Sequence, residues 1–139
     1  MSRVMALDIG TRRIGVATSD EAGLIAQPLT VIIREGTVKD VAAIVRMVRE
    51  QGVQEVVVGR PVALRGEETE STRKVLDFVD RLRDSVEVPV VMVDERLSTV
   101  EASRRMLEAD VRRGERRQRV DAVAAALILE RYLNSRRGG

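Results

Sequence analysis

The sequence predicts an α/β protein with one mixed β-sheet and helices on both of its faces. Three short apolar segments separated by tight turns come first, which is the pattern of an antiparallel meander. Segments with helical spacing then alternate with short Val-rich segments, as in crossover units with parallel strands. The chain has 139 residues, 44% of them hydrophobic and 33% charged, so we expect residues 1–139 to form a single globular domain.

The first three predicted strands span Arg3–Ile9, Arg13–Ser19 and Leu24–Ile33. Because only short turns join them, each strand is expected to pair antiparallel with the next. Pro28 lies in the third strand. Proline lacks the N–H that a central strand donates, so this segment is predicted to lie at the edge of the sheet.

The spacing of apolar residues then becomes helical, with Thr37 and Asp40 predicting a capped helix start and Gly52 its end. The remaining predicted elements are a strand at Glu55–Val58, a helix through Val75, Phe78, Val79 and Leu82, a strand at Val88–Val93, a helix capped by Ser98 and Glu101, and a helix at Val120–Leu133. The last two strands are Val-rich and are expected to be parallel and buried on both faces.

The resulting order, β-β-β-α-β-α-β-α-α, resembles that of RNase H-like proteins. It predicts a mixed five-stranded sheet in the order 3-2-1-4-5, whose first three strands are antiparallel. Strand one would then lie at the centre, between the meander and the crossover strands. The only linker-like segment is residues 110–119.

The composition excludes several kinds of active site. There is no cysteine and no histidine, so catalysis has to use carboxylates, hydroxyls, Lys or Arg side chains, or a bound metal ion. No apolar segment approaches the roughly 20 residues of a membrane span, and no signal-peptide core follows Met1. We therefore expect a cytoplasmic protein that does not bind a membrane.

Positive charge is concentrated near the end of the chain. Seven arginines against three acidic residues lie between Arg104 and Arg119, although the net charge of the whole protein is only +2. Arginine is suited to bidentate phosphate contacts, so this segment indicates a nucleic-acid partner. A solvated, Arg-rich loop is the alternative explanation.

Acidic residues occupy three unusual places. Asp8 interrupts an apolar strand, Asp94 and Glu95 follow the fifth strand, and Asp121 opens a helix that is apolar on nearly every side. Each has a structural explanation by itself: a turn contact, a polar strand exit, or a favourable helix dipole. Strand residues alternate between faces, so at most one of Asp94 and Glu95 is expected to face a given site.

Taken together, these acids predict a site at one edge of the sheet. Ligands gather outside the carboxyl ends of parallel strands, where Asp8, Arg60 and Glu95 are expected, and the last helix can bring in Asp121. Three converging carboxylates would repel one another unless a cation neutralised them. Oxygen ligands without His or Cys select a hard ion, so the predicted cofactor is Mg²⁺ or Mn²⁺.

The chain resembles the YqgF family of RNase H-like proteins, relatives of the RuvC-type Holliday junction resolvases. The resemblance spans essentially the whole chain and rests on Leu7–Ala17, Val58–Pro61, Asp94–Thr99 and Val120–Ala125. It implies a nuclease that trims the 5′ end of pre-16S ribosomal RNA, although some members of the family have been described as junction resolvases. It also implies that Asp8, Glu95 and Asp121 are the catalytic, metal-binding acids. Arg60 departs from the family pattern, which usually has an apolar residue before Pro61.

The expected reaction is two-metal hydrolysis of a phosphodiester, with Asp8 bridging the ions and Glu95 and Asp121 each holding one side. With one Phe, one Tyr and no Trp, base stacking is not expected, so backbone shape should decide substrate choice. RNA is favoured over branched DNA, and the protein is expected to be a monomer or a homodimer. The predicted nucleic-acid contacts are Gly10, Thr11, Arg12, Arg60, Arg96, Arg112, Arg113, Arg116, Arg117 and Arg119.

Two other functions compete with this interpretation. Asp8-Ile9-Gly10-Thr11 also resembles the first phosphate motif of actin-like ATPases and sugar kinases, which share the core fold. Those proteins enclose the nucleotide between two such domains, and this sequence shows only one copy. A catalytically idle RNA-binding module is the other alternative, against which the three acids argue.

Overall fold

The computed structural model of the protein describes residues 2–61, 70–95 and 114–138. Within these ranges the chain forms five strands and three helices. They are β1 (Arg3–Ile9), β2 (Arg13–Ser19), β3 (Ala26–Ile33), α1 (Thr37–Glu50), β4 (Val53–Pro61), α2 (Glu70–Ser85), β5 (Val90–Glu95) and α3 (Gly114–Gly138). The helix predicted from Ser98 and Glu101 lies outside the described residues.

The sheet has the order β3-β2-β1-β4-β5, as the sequence predicts. β1 pairs antiparallel with β2 and parallel with β4, and the β2–β3 pair is antiparallel. Pro28 lies on the edge strand β3, as predicted. No helix in the described ranges is long and apolar enough to span a membrane.

Alternation along the strands divides the core into two layers. On β1, Met5 and Leu7 pack in a cluster with the apolar residues of α1 and α2. Val4 and Ala6 point to the other face, where they pack against the apolar residues of α3. Residues of β1 with even numbers therefore face α3.

The last helix is longer than predicted. The sequence predicts Val120–Leu133, whereas α3 begins at Gly114, which makes Asp121 its eighth residue and not part of its first turn. The linker expected at residues 110–119 is wrong from Gly114 onwards, because this part is helical. Arg, Gln and Glu are strong helix formers, so a helix can extend beyond its apolar part.

The far end of α3 is held to β4 by a polar cluster. The Tyr132 hydroxyl donates to Glu55 Oε2 at 3.0 Å, and Arg136 Nη1 donates to Glu55 Oε1 at 3.0 Å. Burial raises the pKa of Tyr132, and the neighbouring Glu55 carboxylate adds to the effect. These contacts fix the helix along the sheet beyond its apolar residues.

The start of β3 also differs from the predicted Leu24. β3 begins at Ala26, because the Asp20 carboxylate accepts the N–H groups of Leu24 and Ile25 and keeps them in the turn. These two hydrogen bonds, the one from Ile25 first, hold the pKa of Asp20 below its usual value.

The strands at the other side of the sheet also differ from the predicted Glu55–Val58 and Val88–Val93: β4 is longer at both ends, and β5 is shifted by two residues. β4 continues through Arg60 to Pro61, and β5 runs from Val90 to Glu95 in parallel register with it. β4 is buried on both faces, as predicted. β5 is an edge strand with half-buried residues 91–93, so the prediction that it is buried on both faces is wrong.

The start of α1 is held differently from the predicted capping box. Gly36 occupies the N-cap, with no side-chain cap hydrogen bond. Asp40 is buried and accepts from the Arg34 Nε and from the Glu35 N–H, each at 3.0 Å. Its carboxylate is engaged by Arg34, so it is not the reciprocal partner of Thr37. The predicted end of the helix is confirmed, with Gly52 at a φ of 64°.

We expect Asp40→Ala to lower the free energy of unfolding by about 3 kcal/mol, because it leaves the Arg34 guanidinium half-buried without its carboxylate. Urea unfolding followed by circular dichroism measures this. Asp77→Ala, at an exposed position on α2, is the matched control and should change stability by under about 0.5 kcal/mol. Equal effects of the two substitutions would show that the buried pair does not stabilise the fold.

Candidate active site

Asp8 lies near the end of β1 on the face that α3 covers, because it follows Val4 and Ala6 in the alternation. Its side chain is half-buried. In the register of β1 and β2, the residue directly opposite Asp8 is Gly15. Opposed residues of an antiparallel pair point to the same face, with Cα atoms about 4.5–5.5 Å apart.

At Gly15 the backbone of α3 lies directly against the sheet. A Cβ atom on Gly15 would overlap with the carbonyl oxygen of Asp121. The absence of a side chain here therefore lets the backbone of α3 lie directly on β2. Since Gly15 is the cross-strand neighbour of Asp8, this packing brings Asp121 beside Asp8.

The Asp121 carboxylate is paired with an arginine of β2. Arg13 Nε donates to Asp121 Oδ2 at 2.6 Å, and the two side chains are 32% and 24% exposed. Arg13 precedes Gly15 by two residues on β2 and therefore lies on the same face as Gly15 and Ala17. Among the described side chains, the acids Asp8 and Asp121 and the cation Arg13 therefore lie on the face covered by α3.

Glu95 is the last residue of β5, where it is paired with Pro61 of β4. It comes two residues after Val93, which packs against the cluster on the α3 face. Only the backbone of Asp94 and Glu95 is described. Among the side chains that are described, no three acidic groups are close enough together to hold a metal ion.

The turn between β1 and β2 is exposed at Gly10, Thr11 and Arg12. The Gly10 N–H donates to the Arg13 carbonyl at 2.9 Å. A Cβ atom on Gly10 would be only 2.8 Å from that oxygen, so glycine allows the turn to close. Three of the residues predicted to contact nucleic acid are therefore exposed to solvent, two to four positions after Asp8.

Arg34 fixes this turn from the opposite side of the sheet. Its backbone N–H donates to the Arg12 carbonyl at 2.9 Å, and its Nη1 donates to the Gly10 carbonyl at 3.2 Å. The guanidinium also pairs with Asp40 and lies over the Phe78 ring, 5.4 Å from its centroid. The position of the turn is thereby tied to α1 and α2.

Arg60 is not on the face that carries Asp8. It lies two residues after Val58 in β4 and therefore shares its face, and Val58 packs in the cluster of α1 and α2. The sequence places Arg60 at the same strand edge as Asp8, and the alternation of β4 assigns it to the opposite face of the sheet.

The remaining predicted contacts lie near or beyond the limits of the described chain. Arg96, Arg112 and Arg113 are outside the described residues. Arg116, Arg117 and Arg119 belong to the helical backbone of α3, in the two turns before Asp121. The structure thus brings together Asp8, Asp121 and the exposed turn.

Sequence reasoning missed Arg13, Gly15 and Arg34. Gly15 did carry a signal, since a glycine between Ile14 and Val16 in a strand often marks the close approach of another backbone. The other two residues had none. Only the fold reveals that Arg13 meets Asp121 and that Arg34 reaches back to Gly10.

Comparison with known proteins matches residues 2–135 to the model of a family described as RuvX: Holliday junction resolvase. Among curated relatives, a protein of Desulforudis audaxviator named "Putative pre-16S rRNA nuclease" is 47% identical over 99% of this chain and 97% of its own length. One of the same name from Moorella thermoacetica is 47% identical over 95% of this chain and 94% of its own length.

Two solved structures share the fold. Thermus thermophilus RuvC in complex with a Holliday junction substrate has a TM-score of 0.62 and 19% identity, covering 99% of this chain and 97% of its own. The fowlpox virus resolvase in complex with Holliday junction DNA has a TM-score of 0.56 and 11% identity, covering 96% and 97%. At these identities the likeness establishes the RNase H-like fold alone.

We expect Gly15→Ala to lower the free energy of unfolding by about 3 kcal/mol, because the new methyl group forces α3 away from β2. Chemical denaturation measures this loss. Gly36→Ala is the control, since its Cβ would meet nothing within 4 Å although its φ is 125°; backbone strain alone should cost about 1 kcal/mol. A Gly15→Ala protein as stable as the Gly36→Ala protein would contradict the close packing.

Proposed function

The chain belongs to the RuvX family, and on that basis we propose that it is a divalent-metal-dependent nuclease that hydrolyses phosphodiester bonds in RNA. We propose trimming of the 5′ end of pre-16S ribosomal RNA, in the cytoplasm, as its role. The observation that carries the proposal is the packing of the Asp121 backbone on Gly15, the residue directly opposite Asp8 on the same face of the sheet.

The donors available at this site fit a hard divalent cation. Both described acids offer carboxylate oxygens, and the chain contains no His or Cys that would favour a softer metal. We propose that Asp8, Asp121 and Glu95 hold Mg²⁺ or Mn²⁺. Glu95 lies on β5 two residues after Val93, which packs on the α3 face, and this position supports its inclusion among the metal ligands. Such an ion activates water and stabilises the charge on the departing oxygen.

The protein itself would position the substrate. Asp8 is fixed by β1 and Asp121 by α3, so both carboxylates are held by rigid elements of the core. Gly10, Thr11 and Arg12 are exposed in the turn that follows β1, where a phosphate can approach them. Arg34 holds this turn in place, which reduces the entropy lost when a phosphate binds to it.

RNA is favoured as the substrate by the names of the curated relatives. Proteins 47% identical to the chain carry a name that refers to pre-16S rRNA, whereas the RuvC complex with a Holliday junction is 19% identical. Neither aromatic residue is available for base stacking: Phe78 is buried, and Tyr132 is bonded to Glu55. Recognition through backbone shape and phosphates is therefore proposed.

Resolution of branched DNA is the second candidate function. It is favoured by the description of the matching family and by the fold shared with two proteins solved on Holliday junctions. Both functions use the same acids, so substrate tests are needed to separate them. Labelled single-stranded RNA, pre-16S rRNA and a four-way DNA junction should be incubated side by side with Mg²⁺ or Mn²⁺. Faster cleavage of the junction than of either RNA would overturn the proposed substrate.

We expect Asp8→Asn to reduce the cleavage rate at least a thousandfold, because the site loses a ligand of the ion. Millimolar Mn²⁺ should raise the melting temperature of the wild type, since a ligand bound only by the native state stabilises it, and EDTA should stop turnover. Asp77→Asn, on the exposed surface of α2, is the control for the loss of one charge. Full activity of Asp8→Asn at saturating Mn²⁺, or activity in EDTA, would refute the mechanism.

The arginines before Asp121 are proposed to bind the phosphates that flank the cleaved bond. Since Arg116 and Arg117 lie in a helix, glutamine is a suitable replacement that keeps the helix propensity. The double variant should bind single-stranded RNA more weakly, with a salt slope lower by roughly 0.7 for each phosphate that the helix no longer neutralises. Filter binding at several salt concentrations measures both effects.

The control for this variant replaces Arg46 and Arg49 with glutamine. Both residues are exposed on α1, across the sheet from the proposed site, so the net charge changes equally. This control should retain affinity for RNA. If both double variants lose the same affinity and slope, the arginines of α3 contribute only through net charge, and a specific basic surface is excluded.

A further inference from the structure

Asp121 already has a cationic partner inside the candidate active site. The 2.6 Å bond from Arg13 Nε engages Oδ2 of Asp121, and both side chains are partly buried. Asp8 lies on the same face of the sheet, opposite Gly15, over which the backbone of Asp121 is packed. Arg13 therefore already supplies positive charge to a carboxylate that the proposed metal ion would also use.

We propose that Arg13 is the resident counter-cation of the acidic site and that it couples metal binding to nucleic-acid binding. The inference rests on the proposed function, because it takes Asp121 to be a metal ligand. In the free protein Arg13 neutralises Asp121 and thereby weakens the binding of a divalent ion. When nucleic acid is bound, its phosphates offset the surplus positive charge, and the ion binds more tightly.

The charges in the site lead to this coupling. A divalent ion at Asp121 is repelled by the guanidinium on the same carboxylate, and the repulsion is stronger in a partly buried site than in water. A phosphate adds negative charge at the same place, and guanidinium groups bind phosphate oxygens well. About a third of the Arg13 side chain is exposed, so it can reach such a ligand. Linkage requires the metal to strengthen nucleic-acid binding by the same factor.

A purely structural role for Arg13 predicts a different behaviour. If the pair only anchored α3 to β2, its loss would lower stability equally with and without metal. If Arg13 oriented Asp121 towards the ion, its loss would weaken metal binding. A counter-cation differs from both of these roles. Removal of its charge should strengthen metal binding and should also destabilise the metal-free protein.

The test measures the dissociation constant of Mn²⁺ by calorimetry and by the dependence of the melting temperature on Mn²⁺. The proteins are the wild type, Arg13→Gln, Arg13→Lys and Arg46→Gln, each with and without a single-stranded phosphorothioate RNA. Arg13→Lys keeps the charge, and Arg46→Gln removes one charge from the exposed surface of α1. The full-length protein is used throughout.

Without RNA, Arg13→Gln should bind Mn²⁺ at least tenfold more tightly than the wild type, although it melts at a lower temperature in EDTA. The difference in melting temperature should shrink as Mn²⁺ is added. Arg13→Lys and Arg46→Gln should bind Mn²⁺ like the wild type. RNA should tighten Mn²⁺ binding to the wild type at least tenfold, and to Arg13→Gln by a clearly smaller factor.

Unchanged or weaker Mn²⁺ binding by Arg13→Gln would overturn the counter-cation role, and an equal effect of RNA on both proteins would overturn the coupling. Should Arg13→Gln fail to give a cooperative melt, Arg13→Lys decides: a tenfold loss of Mn²⁺ affinity would mean that Arg13 orients Asp121. Absence of Mn²⁺ binding in the wild type would overturn both this inference and the proposed metal dependence. If the wild type binds Mn²⁺ but Arg13→Gln does not bind it more tightly, only the inference about Arg13 is overturned, and the proposed metal dependence stands.

Discussion

The contact between α3 and β2 at Gly15 is the constraint on which the site depends. A helix normally packs on a sheet through side chains, and that separation would keep the backbone of α3 away from β1 and β2. At Gly15 the missing side chain lets the Asp121 carbonyl rest on the strand. Because Gly15 is the cross-strand partner of Asp8, this glycine lets the backbone at Asp121 reach the strand pair that carries Asp8.

A second set of contacts holds the same strand pair from the other face. Arg34 connects the turn after Asp8 to the buried Asp40 at the start of α1 and to Phe78 of α2. The end of β1 is thus held between α3 on one face and this cluster on the other. Rigid support of this kind would keep the side chains of the proposed metal site in the same positions with and without the ion.

The electrostatic balance of the site follows from the same packing. Bringing carboxylates together in a partly buried place is unfavourable unless positive charge accompanies them. Arg13 provides such a charge to Asp121 within the protein itself. The charge of the Asp121 carboxylate is therefore compensated within the fold and does not require the proposed metal ion.

The sequence by itself determined the class of fold, the sheet order and the acids at its edge, since alternation, helical spacing and an Asp inside an apolar strand are local signals. It did not determine that Asp121 lies two turns inside α3, because the helix extends through Arg-rich turns that carry no apolar pattern. The face of Arg60 depends on how far β4 continues, and local spacing predicts a cap at Asp40 because it cannot reveal the partner Arg34. Tertiary structure alone decided that Arg13 pairs with Asp121, since 108 positions separate them and only the packing of α3 on the sheet brings them together.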